Sequence, residues 1–94
     1  MFEISINDNE VHMQGRFNAA MVDNAMKVFD EVNETYLVNF EGLIYISSAG
    51  LSVLLKTQKR LMANNHELIL KNMNKFNREI FKLAGFDTIF TIIE

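Results

Sequence analysis

The chain opens on a strict alternation. Phe2, Ile4 and Ile6 are separated by Glu3 and Ser5, the period-two pattern of a strand with one buried face. Asn7-Asp8-Asn9 supplies turn chemistry, and Val11 and Met13 resume the alternation, so the two runs predict a β-hairpin. Gly15 and Asn18 are expected to end this extended region, with Asn18 as the N-cap of the next element. The period then changes. Val22, Ala25, Met26, Phe29 and Val32 recur at helical spacing, with Asp23, Lys27, Asp30 and Glu31 on the other face.

Tyr36 to Phe40 is apolar at most positions and not helically patterned, which predicts a strand covered on both faces. A second extended piece, Leu43 to Ile46, follows Glu41-Gly42 and leads into Ser47-Ser48-Ala49-Gly50. Leu51, Leu54, Leu55, Gln58, Leu61 and Met62 then form an apolar stripe with one polar member, and Lys56, Lys59 and Arg60 fall on the solvent face. Asn64-Asn65 suits a left-handed helix stop, and Leu68 to Leu70 reads as another buried strand. Asn74 is placed to cap a helix carrying Phe76, Ile80, Leu83 and Ala84. Gly85 ends that helix so that Phe86 can pack back on Phe81. Asp87 to Ile93 is β-branched and predicts a short strand or extended tail. Two consecutive strands followed by alternation imply an α/β fold: a mixed sheet with an antiparallel N-terminal hairpin edge and three or more helices packed against it. No Pro, repeat or linker divides residues 1–94, which are expected to form one domain.

Composition narrows the function. The absence of Cys removes disulfides, thiolate metal sites and thiol nucleophiles together. A net charge of −3, with acids and bases scattered, gives no basic stripe for a phosphate backbone, so direct nucleic-acid contact is not expected. His12 and His66 have no spaced carboxylate pair, so neither a metal nor another cofactor is expected. Among the six Met, Met21, Met26 and Met62 read as core or near-core filler. No apolar run is long enough to insert in a membrane, and MFEISINDNE lacks the basic-then-apolar layout of a signal peptide, which makes the cytoplasm the expected setting.

The chemistry concentrates in Ser47-Ser48-Ala49-Gly50, between a buried strand and an amphipathic helix. Either serine can accept hydrogen bonds from the free N–H groups of the first turn, worth about 1 kcal/mol. A phosphoryl group is also well placed at a helix start, where it adds roughly −1.5 to −2 charges. The stretch from Leu37 to Leu55 containing Ser47-Ser48-Ala49-Gly50-Leu51 resembles the core of the STAS family, the domain of bacterial anti-sigma factor antagonists. Gly15-Arg16-Phe17-Asn18 resembles the family's Gly-x-Leu-Asp turn, and Phe81 to Phe90 its closing helix and the segment after it.

The resemblance implies a partner-switching cycle. The unmodified antagonist binds an anti-sigma factor that is also a serine kinase, which phosphorylates a serine of this turn and breaks the complex. A PP2C-type phosphatase restores it. The family's Asp-Ser-Ser/Thr-Gly, aligned on Gly50, puts the acceptor at Ser48, with Ser47 as the alternative. The implied partner-binding surface is Asn18, Asn39, Ser47, Ser48, Ala49, Gly50, Leu51 and Ser52. Asn18, Asn39 and Ser47 stand where the family usually has Asp, which keeps hydrogen bonding but removes charge. STAS-type domains also serve as non-phosphorylated docking subunits beside membrane transport ATPases, the second reading. A serine hydrolase fits poorly, because its nucleophile elbow needs Gly two residues before the serine, where Ile46 stands. A phosphate-cradling loop is likewise absent between Gly42 and Gly50. The chain is therefore expected to bind rather than catalyse.

Overall fold

Asp8 and Asn9 both adopt positive φ, 53° and 62°, the conformation a two-residue hairpin turn demands. They join β1 (Phe2–Asn7) to β2 (Glu10–Phe17) in an antiparallel pair. The computed structural model describes residues 1–94. Helix α1 (Val22–Phe29) crosses to β3 (Tyr36–Ile46), α2 (Ser48–Met62) to β4 (Leu68–Lys71), and α3 (Lys75–Leu83) to β5 (Thr91–Ile93). Each crossover adds a parallel strand, so the five-stranded sheet runs β1-β2-β3-β4-β5 with its antiparallel pair at one edge. The mixed sheet and three helices match the architecture read from the sequence.

Register sorts the side chains into two faces. Ile6, Val11, Val38, Leu70 and Ile92 form one row across all five strands, on the face that the helices cover. On that face Phe81 of α3 meets Phe40 edge-on at 5.8 Å between ring centroids and Phe90 at 5.8 Å. The neighbouring row, Ser5, His12, Asn39, Lys71 and Ile93, lies on the opposite face, which is half-buried or exposed. The expectation that β3 is covered on both sides is therefore corrected. Val38 and Phe40 are buried, while Leu37 and Asn39 are only half-buried. Polar partners rather than a second helical layer satisfy this face: Glu10 takes hydrogen bonds from Asn39 (3.0 Å) and Lys71 (3.1 Å).

Several boundaries differ from the sequence reading, each for a local reason. Gly15 does not end β2. It sits inside the strand at φ 90°, where a Cβ would lie 1.7 Å from the Met1 carbonyl oxygen, so only glycine lets β2 continue to Phe17. The two apolar pieces at 36–46 are one strand with two bulges. β3 spends an extra residue between Asn39 and Gly42 and again between Leu43 and Tyr45, leaving Ile44 58% exposed. Helix α1 stops at Phe29, yet Val32 remains fully buried beyond it. In α2 the buried face is Gly50, Leu51, Val53, Leu54, Thr57, Gln58 and Leu61, while Met62, expected in the core, is exposed. Gln58 joins three elements, accepting from Leu68 N–H (2.8 Å) and donating to the Ile89 carbonyl (3.0 Å). Arg60 is exposed, as expected, and its guanidinium reaches across to donate to the Phe29 carbonyl at the end of α1 (2.9 Å).

The helix α3 is rotated relative to the expected stripe. Buried Asn77 donates to the Leu43 carbonyl (3.1 Å), which turns Asn77 and Phe81 inward and leaves Phe76 and Leu83 exposed. Gly85 takes φ 77°, and Phe86 meets Phe81 edge-on at 6.0 Å, as the helix-ending signature predicted. Asn65 likewise adopts φ 65° at the end of α2. Of the final stretch only Thr91–Ile93 is strand, and Phe86–Thr88 is a 3-10 turn.

Candidate functional site

At the carboxyl end of β3 the chain passes directly into α2. Ser47 is its N-cap, at φ −85° and ψ 171°, and its Oγ accepts from Gly50 N–H at 3.2 Å. Its own N–H donates to the Phe17 carbonyl at 2.9 Å, which fastens the turn to the end of β2. Ser48 is the first residue of the helix and is exposed, with no protein hydrogen-bond partner for its hydroxyl. Ala49 is half-buried. Gly50 is buried because α2 begins in contact with the strands: a Cβ there would lie 2.8 Å from Ile46 Cγ1 and 3.1 Å from Phe17 Cγ. Leu51 plugs the core, and Ser52, one turn beyond Ser48, faces outward beside it.

Asn18 follows Phe17 and so sits at the same end of the sheet. It caps a 3-10 turn, Ala19–Met21, by accepting from Ala20 N–H at 3.0 Å, rather than capping α1 directly. Asn39 is elsewhere. Because β3 runs on to Ile46, Asn39 lies in mid-strand on the open face, about 20 Å along the strand from the Ser47 turn. There its Oδ1 accepts from Glu41 N–H (2.9 Å) and Asn72 Nδ2 (3.1 Å), while its Nδ2 donates to Glu10. Burial pushes the Glu10 carboxyl up, but the hydrogen bonds from Asn39 and Lys71 and the charges of Lys71 and His12 outweigh it. The net effect holds Glu10 below the usual carboxylate value.

The sequence reading missed an apolar ledge beside the turn. Tyr45, two residues before Ser47, lies under the Arg16 guanidinium at 5.0 Å and 6.3 Å from the Phe76 ring. Phe76 and Ile44 are both more than half exposed. Alternation alone could not place these residues, because one bulge flips Tyr45 to the open face and the rotation of α3 brings Phe76 over it.

The hydrolase constellation does not assemble. His66 stands just ahead of β4, where its Nδ1 accepts from Thr35 N–H (3.2 Å), at the end of the sheet opposite Ser48. No three His, Asp or Glu side chains are grouped to hold a metal, and no helix is long and apolar enough to cross a membrane.

A helix-covered mixed sheet with an exposed serine at a strand-to-helix turn defines a small α/β domain. The model of the STAS domain matches residues 5–94, and the chain belongs to that family. A Bordetella bronchiseptica protein assigned as the anti-sigma factor antagonist BtrV is 36% identical over 63 residues, covering 67% of this chain and 54% of that protein. The match thus spans about half of the relative's length. An anti-sigma factor antagonist of Mycobacterium paratuberculosis superposes with a TM-score of 0.82 at 15% identity, covering 98% of this chain and 83% of the other. The antagonist SpoIIAA superposes in its unphosphorylated form with a TM-score of 0.72 at 19% identity, covering 100% and 88%. Its phosphorylated form, from Bacillus, gives 0.61 at 21% identity, covering 100% and 92%. At these identities the superpositions speak for the fold.

Proposed function

We propose that this domain is an anti-sigma factor antagonist whose binding face, formed by Asn18 and the first turns of α2 from Ser47 to Ser52, is switched off by phosphorylation of Ser48. The observation that carries the reading is the contrast between adjacent hydroxyls. Ser47 Oγ is half-buried and occupied as the helix cap, whereas Ser48 Oγ is exposed and unoccupied. A phosphoryl group on Ser48 replaces the hydroxyl proton and adds roughly −1.5 to −2 charges at the first helical residue. The helix tolerates that charge, since its first N–H groups lack intrahelical acceptors and its dipole favours an anion. A partner docked flat against the turn does not. The names of the Bordetella relative and of the structural neighbours, including one solved in a phosphorylated form, support this reading.

In this scheme the anti-sigma factor is the serine kinase, and a PP2C-type phosphatase returns Ser48 to its free form. Loss of the family's Asp at Ser47 leaves the cap intact, because a serine oxygen accepts the Gly50 N–H as a carboxylate would. The fully polar network around Asn39 gives that residue a structural task away from the docking face. The domain acts by binding and not by catalysis, in the compartment where the sigma factor works.

The test is affinity for the anti-sigma factor. Ser48→Ala retains binding, while Ser48→Asp weakens it by about tenfold or more with an unchanged melting temperature. Equal binding by Ser48→Asp overturns the switch and favours passive docking, for example beside a membrane transporter.

A further inference from the structure

The sheet ends on two unequal edges. β5 is three residues long and is followed by Glu94, whereas β1 spans six residues, Phe2–Asn7, with no Pro, Lys or Arg and a single charge at Glu3. Natural edges are usually shortened, bulged or charged to prevent pairing, and β1 uses none of these devices beyond Glu3. Its hydrogen-bond phase follows from the hairpin. In a two-residue hairpin the residues flanking the turn, Asn7 and Glu10, exchange hydrogen bonds, as do Ser5 with His12 and Glu3 with Gln14. The Arg16 N–H to Met1 carbonyl bond, 3.0 Å, continues the same phase. The backbone N–H and C=O groups of Phe2, Ile4 and Ile6 therefore point away from the sheet. Beside them an open groove of about 600 Å³ wraps around the edge, from Lys27 and Val28 of α1 past Phe2 and Ile4 to Ser5 and His12 of the open face.

We propose that β1 is the interface of a two-fold homodimer, pairing antiparallel with β1 of a second copy about an axis at Ile4. This register sets Ile4 opposite Ile4 and Phe2 opposite Ile6, so every outward backbone group of the three residues gains a partner. It is self-complementary, as a two-fold contact must be. The half-buried Ile4 and Ile6 side chains of the added strand lie on the α1 side and occupy the part of the groove beside Val28. On the open face Glu3 falls opposite Ser5 of the other copy, not opposite the second Glu3, so no like charges meet. The interface leaves the Ser48 turn, at the carboxyl end of β3, uncovered, and the inference stands apart from the proposed switch.

The experiment is sedimentation equilibrium of the full chain from about 10 µM to about 1 mM, the range in which an interface of this size associates measurably. A reversible monomer–dimer equilibrium is expected. Ser5 is exposed on the open face, so charges placed there report on the register without disturbing the core. Ser5→Glu creates two Glu–Glu cross-strand pairs per dimer and is expected to weaken association by about tenfold, while Ser5→Lys, opposite Glu3, tightens it. A chain that stays monomeric throughout overturns the proposal. So does a dimer indifferent to both substitutions, or a monomer that instead captures an extended segment of another protein at this edge.

Discussion

Helices α2 and α3 start in the same way and serve different ends. Ser47 and Asn74 adopt nearly equal backbone angles, φ −85° and ψ 171° against φ −74° and ψ 169°. Each accepts from the N–H three residues on, at 3.2 Å and 2.7 Å. Around the α3 cap every side-chain donor is used, and only the buried Asn77 Oδ1 is left without a partner. Asn74 and Asn77 both donate to the Leu43 carbonyl that the β3 bulge leaves free, and Phe81 one turn later closes the core against Phe40 and Phe90. Around the α2 cap the backbone is just as fixed, through Phe17 and the close approach of Gly50, but the next hydroxyl is left free. One start is an anchor, and the other holds a free hydroxyl at a defined place on the surface.

Substitutions that should break or sharpen this contrast can be ranked. Phe81→Ala empties the centre of the α3 anchor and is expected to cost about 3–5 kcal/mol, read from urea denaturation. Asn74→Ala loses both the cap and a bond to Leu43, about 2 kcal/mol, whereas Ser47→Ala loses a cap alone, about 1 kcal/mol. If the two caps cost the same, the anchor account of α3 is wrong. Ser48→Ala should change stability by less than about 0.5 kcal/mol, because nothing in the fold depends on its hydroxyl.

The smallest effect concerns acid. Glu10 has a depressed pKa in the folded protein, so its contribution is present above the unfolded value and is lost as pH falls through the folded one. Stability should therefore decline below about pH 5, and Asn39→Ala should make that decline shallower in thermal melts taken from pH 7 to pH 3.

Local chemistry made one half of this comparison legible in the sequence. The turn residues Ser47 to Gly50, the caps at Asn18 and Asn74, and the stops at Asn65 and Gly85 act within three or four residues, and such signals are written in order along the chain. The mixed sheet with its hairpin edge followed from the succession of elements. The other half was not legible, because it depends on pairing between distant strands. Two bulges decide that Ile44 and Tyr45 face outward, and a carbonyl they release decides that buried Asn77, rather than Phe76, marks the inner face of α3. Asn39 was expected beside the turn for the same reason: a strand that seemed to end at Phe40 continues to Ile46.

The central claim is that Ser48, and not its capped neighbour, carries the switch. Peptide mass spectrometry on the protein taken from its native host, in resting and stressed cells, tests it most directly. The account predicts a phosphoryl group on Ser48 whose occupancy changes between the two conditions, with Ser47 unmodified. Phosphate on Ser47, or none in either condition, contradicts it.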